Sequence, residues 1–127
     1  MSIFKDTDHL YETLGGFWKA LYDMDEFSDS IKKADIQIKF EISDPNAVIW
    51  VGPDGIEFGE QGLKADITMK LAGDTAHAFW KKELSLPVAL AKRKIKSKGN
   101  ISKVMKLLPV VKPAYDFYPE YMSRHGL

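Results

Sequence analysis

Few residues of this chain are placed to do covalent chemistry. Its three histidines, His9, His77 and His125, are scattered along 127 residues, and with no cysteine and no His-x₃-His pair no metal-ligand spacing arises. No serine sits in a G-x-S-x-G elbow, and there is neither a G-x-G-x-x-G run nor a phosphate loop. Gly52, Gly55, Gly59 and Gly62 read instead as turn residues. His77, between Ala76 and Ala78 on a predicted helix, reads as a surface or rim histidine rather than a general base. Asp23, Asp25, Glu26 and Asp29 lack the glycine and the ligand register of a calcium loop, and read as a solvated acidic connection with at most a helical turn towards Ile31. No enzyme activity, cofactor or metal is expected.

What remains is binding chemistry. Lys94, Lys96 and Lys98 alternate with Ile95 and Ser97, so on a strand the three ammonium groups share one face. That face suits plain solvation, contact with an anionic membrane, or the phosphates of a nucleic acid. Nucleic acid ranks last, because the run lacks the exposed aromatics on which single-strand binders stack bases. The formal net charge is zero but polarised: residues 1–60 hold five basic and thirteen acidic side chains, whereas residues 81–112 hold ten basic ones and only Glu83. An acidic and a basic face follow.

The elements that would carry these groups are legible from periodicity. Leu10, Leu14, Phe17, Trp18 and Leu21 recur at helical spacing over Asp6–Tyr22, with Thr7 or Asp8 as cap and Gly15-Gly16 as a close packing contact. From Asp35 the period is two: Ile36, Ile38, Phe40 and Ile42 face one way. Turn residues 43–46 and Pro53-Asp54-Gly55 bracket Ala47–Val51, a continuously apolar strand whose inward face stays open, Trp50 being its largest candidate. A short strand at Ile56–Gly59 completes an antiparallel meander. Ala65, Ile67, Met69 and Leu71 alternate in a fourth strand; Asp74 is a candidate cap for a helix through Phe79 and Trp80. Pro87 suits the first turn of a second helix, and Lys94–Gly99 returns to the sheet as the fifth strand. Asn100 caps a helix to Leu107 carrying Ile101, Val104 and Met105, and Pro109 and Pro113 then separate an aromatic segment, Ala114–Met122, that must dock somewhere. The fold class is α+β: a five-stranded, largely antiparallel twisted sheet with helices layered on one face.

The order strand, helix, short helix, strand and turn across Ala65–Asn100 resembles the sterol-carrier-protein family, the type-two sterol carriers or non-specific lipid-transfer proteins. The matching pieces are Ala65–Leu71, Thr75–Lys82, Pro87–Leu90 and Lys94–Gly99 leading into Asn100–Leu107. The resemblance implies one lipid-binding domain over residues 1–127 with an apolar tunnel between sheet and helices. It implies non-catalytic binding and transfer of a lipid, a fatty-acyl chain ahead of a sterol. Phe40, Ile67 and Met69 would then form the tunnel floor, with Trp50 as a further candidate; Phe79, Leu90, Met105 and Leu108 would form the other walls. Tyr118, in the aromatic segment, would belong to a wall or lid, and Lys94, Lys96 and Lys98 would touch anionic membranes. The rival is a basic-faced nucleic-acid or protein-interaction domain without a pocket.

A chain of this length makes one domain with a genuine core, needing no disulfide. The absence of cysteine fits a reducing compartment. No apolar run near the N-terminus reaches signal-peptide length, and none approaches the ~20 residues of a membrane span. The ending His125-Gly126-Leu127 lacks the basic middle residue of the peroxisomal address found on relatives in the resembled family. A cytoplasmic location is expected.

Overall fold

Ile38, Phe40 and Ile42 alternate with Lys39, Glu41 and Ser43 to make β1 (Ile38–Ser43), the central strand of a five-stranded sheet ordered β3-β2-β1-β4-β5. The computed structural model describes residues 3–106, 108–109 and 112–126; the expected helix end at Leu107 lies outside them. β2 (Ala47–Gly52) and β3 (Gly55–Phe58) extend β1 as antiparallel hairpins. β4 (Ile67–Ala72) crosses to the other side of β1 and pairs parallel to it, Phe40 beside Met69 and Ile42 beside Leu71. β5 (Ile95–Gly99) closes the sheet antiparallel to β4.

The parallel seam is pinned at its start. The Gln37 N–H donates to Asp66 Oδ2 at 2.8 Å, and the Asp66 N–H donates to the Gln37 carbonyl at 2.8 Å. A one-residue slip would turn each strand's apolar set to the wrong face, so this reciprocal pair matters to register.

Register also assigns the faces. Ile38, Phe40, Ile42, Ala47, Ile49, Val51, Ile67 and Met69 share the inner face. Lys39, Glu41, Trp50, Lys70, Lys96 and Lys98 share the outer one. Trp50 is nonetheless only 3% exposed. Its Nε1–H donates to the Gly59 carbonyl at 2.7 Å, and Lys39 Nζ lies 5.2 Å above its ring while pairing with Glu41 and Glu60, each at 3.2 Å.

The helices cover the inner face. α1 (Thr7–Leu10), a π-helical turn (Tyr11–Gly15) and α2 (Gly16–Tyr22) run continuously. Asp6 caps the run, accepting from the His9 N–H at 2.8 Å, while the expected cap Thr7 donates its hydroxyl to the Asn46 carbonyl at 2.6 Å. Gly15 and Gly16 are the close contact expected: a Cβ on Gly15 would overlap the Phe58 ring, and one on Gly16 the Tyr121 hydroxyl.

The acidic connection is in fact a helix, α3 (Asp25–Ala34). Phe27 and Ile31, four apart, are buried beneath it, and its acids open the helix while Lys32 and Lys33 close it, each matching the helix dipole. α4 (Gly73–Trp80) starts one residue before Asp74, with Ala72 at the cap position; Asp74 Oδ1 accepts from the Ile3 N–H at 3.0 Å. α5 (Leu86–Ala91) carries Pro87 in its first turn under a Ser85 cap, and α6 (Ile101–Met105) has Asn100 as its cap. α7 (Lys112–Arg124) buries Ala114, Tyr118 and Met122, one stripe at four-residue spacing.

Candidate functional site

The two layers do not meet flush. Between the sheet and α2–α6 lies a cavity of about 80 Å³. Its floor is Ile38, Phe40, Ile42, Val51, Met69, Leu71 and Ile95; Trp18 on α2, Phe27 on α3 and Phe79 and Trp80 on α4 roof it. Leu86 on α5, Val104 on α6 and Leu108 beyond complete the wall. The wall is apolar apart from the indole N–H groups of Trp18 and Trp80, so it offers almost nothing to orient a polar ligand. The chemistry on offer is exclusion of water.

Aromatic stacking stiffens the roof. Trp18 lies 5.4 Å from Trp80 edge-on and 5.3 Å from Phe40, and Phe17 meets Trp80 at 4.9 Å. Tyr118 of α7 packs behind that layer, edge-on to Phe17 at 4.9 Å, with its hydroxyl 2.7 Å from His77 Nδ1. Burial pushes the Tyr118 hydroxyl above the ordinary tyrosine range. Burial, and then the Lys81 charge, hold His77 below the ordinary histidine value. The pair therefore joins a neutral hydroxyl to an imidazole that resists protonation, and the ring's tautomer sets which of them donates.

Of the residues expected at a lipid site, the structure gathers Phe40, Met69, Phe79 and Leu108 into this wall. Ile67 shares the inner face but is buried at the seam's start, outside the wall. Leu90 is half-buried on α5 and Met105 is 36% exposed on α6, both outside it. Tyr118 stands behind the roof, and Trp50 is on the opposite face of the sheet. Lys96 and Lys98 sit on that outer face too, in rows with Lys70 and Thr68, and Lys94 directly precedes β5.

Sequence reasoning did not name Phe27, Leu86 or Ile95 as wall residues, and placed Trp18 on the apolar stripe of the first helix without assigning it to a wall. The Leu14–Trp18 and Phe27–Ile31 spacings were the available signal for two of them. Among the described residues no group of His, Cys, Asp and Glu could hold a metal ion, and no helix is long and apolar enough to cross a membrane.

The comparisons bear on this arrangement. No curated protein matches the chain. Among solved structures, sterol carrier protein 2 from Yarrowia lipolytica in its apo form matches with a TM-score of 0.61 and 18% identity, covering 86% of this chain and 91% of that one. The sterol carrier protein domain 2 of Helicoverpa armigera matches with a TM-score of 0.66 and 18% identity, over 84% and 88%. A stereoselective inverting sec-alkylsulfatase from Pseudomonas sp. matches with a TM-score of 0.56 and 22% identity over 65% of this chain, which spans only 14% of that enzyme. At these identities the structures establish a shared fold. The model of the SCP-2 sterol transfer family matches residues 19–112, well over half of the sequence and all five strands. The chain belongs to the SCP-2 sterol transfer family.

Proposed function

We propose that this protein binds and transfers an apolar lipid, non-catalytically and in the cytoplasm, a single fatty-acyl chain ahead of a sterol. The observation that carries the reading is the almost wholly apolar cavity between sheet and helices in a member of a sterol transfer family. At about 80 Å³ it is too small for a whole acyl chain; small-molecule sites run roughly 300–1,000 Å³. Loading therefore requires the wall to part, and the adaptable side chains of Met69 and Leu108 suit a space that must fit tails of differing shape.

Each methylene moved from water contributes about 0.8 kcal/mol, so a dozen-carbon tail gives roughly 10 kcal/mol before ordering costs. Micromolar affinity is within that range, with little head-group selectivity from the wall itself. A fluorescent fatty acid should bind near one per chain and be displaced by unlabelled acyl chains. Lipid extraction with native mass spectrometry of freshly purified protein should recover the same class. Absence of any displaceable binding would end the carrier reading.

A further inference from the structure

The helical wall of the cavity is also the most cationic and acid-free part of the chain. Between Glu83 and Asp116 there is no Asp or Glu, and eight Lys or Arg fall in that interval. Leu86 of α5 and Val104 of α6 turn inward to the cavity. The outward positions of the same two helices carry Val88, 43% exposed, and Met105, 36% exposed. Lys92 directly follows α5, and Lys103 and Lys106 lie on and just after α6; all three are exposed and have no carboxylate partner among the described residues. Exposed apolar side chains ringed by unpaired lysines form a surface suited to the boundary between head groups and acyl chains.

We propose that the outward faces of α5 and α6 dock on an anionic lipid bilayer, placing the cavity wall against the acyl layer. The docking follows from surface charge; its use in lipid exchange rests on the carrier reading above. Two other surfaces fit less well. The N-terminal helical run buries Leu10, Leu14 and Phe17 and exposes Asp8 and Glu12, which an anionic surface repels. The β5 lysines stand on the outer sheet face, so docking there would hold the cavity away from the bilayer with the sheet in between. α5 and α6 are also short, six and five residues, and few main-chain hydrogen bonds must yield for the wall to part.

The test uses the full chain with phosphatidylcholine vesicles, with and without phosphatidylserine, read by co-sedimentation and by transfer of a fluorescent fatty acid. Wild type should bind the phosphatidylserine vesicles, transfer faster to them, and lose both as salt rises. A Lys92→Gln/Lys103→Gln/Lys106→Gln variant should lose on the order of a hundredfold in partition, about fivefold per lysine. Val88→Asp should weaken binding as well, while Lys94→Gln/Lys96→Gln/Lys98→Gln should keep most of it. Equal binding to both vesicle types, or loss confined to the β5 variant, overturns the proposal. So does tight salt-sensitive binding to an oligonucleotide without any vesicle binding. Fatty-acid titration without vesicles reads the carrier function separately: vesicle docking with no fatty-acid binding sinks that reading and leaves the docking surface standing.

Discussion

The Tyr118 hydroxyl and His77 Nδ1, 2.7 Å apart, tie α7 to α4 behind the cavity roof. Tyr118 is fully buried and its hydroxyl is held protonated; it can donate to a bare Nδ1 or accept from an Nδ1–H, as the imidazole tautomer dictates. Once His77 is protonated its Nδ1–H can only donate, and the hydroxyl must accept.

A pH dependence follows. His77 in the fold binds its proton less readily than in the unfolded chain, where the ordinary value is 6.5. Below about 6.5 the unfolded state takes up the extra proton, so stability is complete above that pH and declines as pH falls through and below it. The loss levels off once the folded-state ring also protonates. Lys81 opposes the charge, while Glu83 and Asp74 favour it and limit the shift. Melting temperatures at pH 7.5 and 5.5 should differ more for wild type than for His77→Gln. An equal drop in both would remove His77 from the account.

Tyr118 should also be a stability residue in its own right. Tyr118→Phe deletes one hydrogen bond, about 1 kcal/mol; Tyr118→Ala opens a hole against Phe17 and Trp80, about 3–5 kcal/mol. Because the Ala114–Tyr118–Met122 stripe is core, truncation after Lys112 should melt the sheet rather than merely unlatch a lid. Far-ultraviolet circular dichroism of the truncated chain decides it: a preserved sheet signal would contradict this.

Lipid affinity should respond to one sheet face only. Met69→Trp fills the cavity from its floor and should weaken long acyl chains by at least about tenfold, and more than short ones, through overpacking. Trp50→Phe lies across the sheet; loss of its bond to Gly59 should cost about 1 kcal/mol of stability while affinity stays within about twofold. Denaturant midpoints and fatty-acid titrations on the two variants separate these effects.

The adjacent glycines should behave oppositely. A methyl at Gly15 meets the Phe58 ring, which Tyr11 stacks at 4.8 Å and Lys19 covers at 4.7 Å, so the ring has nowhere to go. Gly15→Ala should cost about 1–3 kcal/mol. At Gly16 the obstacle is the far end of the half-buried Tyr121, which can swing aside, and helix propensity favours Ala by about 1 kcal/mol. Gly16→Ala should be near neutral or stabilising in urea melts.

What the sequence made legible was whatever local periodicity controls. The alternation through β1 and β4, the Pro87 helix start and the Asn100 cap all stand as read. α3 was hidden because its charges outnumber the Phe27–Ile31 stripe that makes it a helix. Trp50 could not be oriented within an all-apolar run; the pairing of Phe40 with Ile49 decides it, and that pairing is a tertiary fact. The parallel contact of β1 with β4 is likewise invisible locally, since it joins residues 29 apart. Of the nine residues expected at the tunnel, four border the cavity, for the same reason: alternation identifies a face, whereas helix placement selects which part of that face borders the void.

The Gln37–Asp66 pair has a consequence for how the molecule assembles. β1–β3 close through tight turns and are rich in short-range contacts, whereas β4 meets β5 only after two intervening helices, with partners 24 to 32 residues apart. The parallel seam, whose partners stand 29 residues apart, must likewise wait for a long loop to close, and loop-closing steps of that kind set folding speed. The two reciprocal bonds at its first rung give that slow encounter a single starting point, from which the remaining pairs can zip in register.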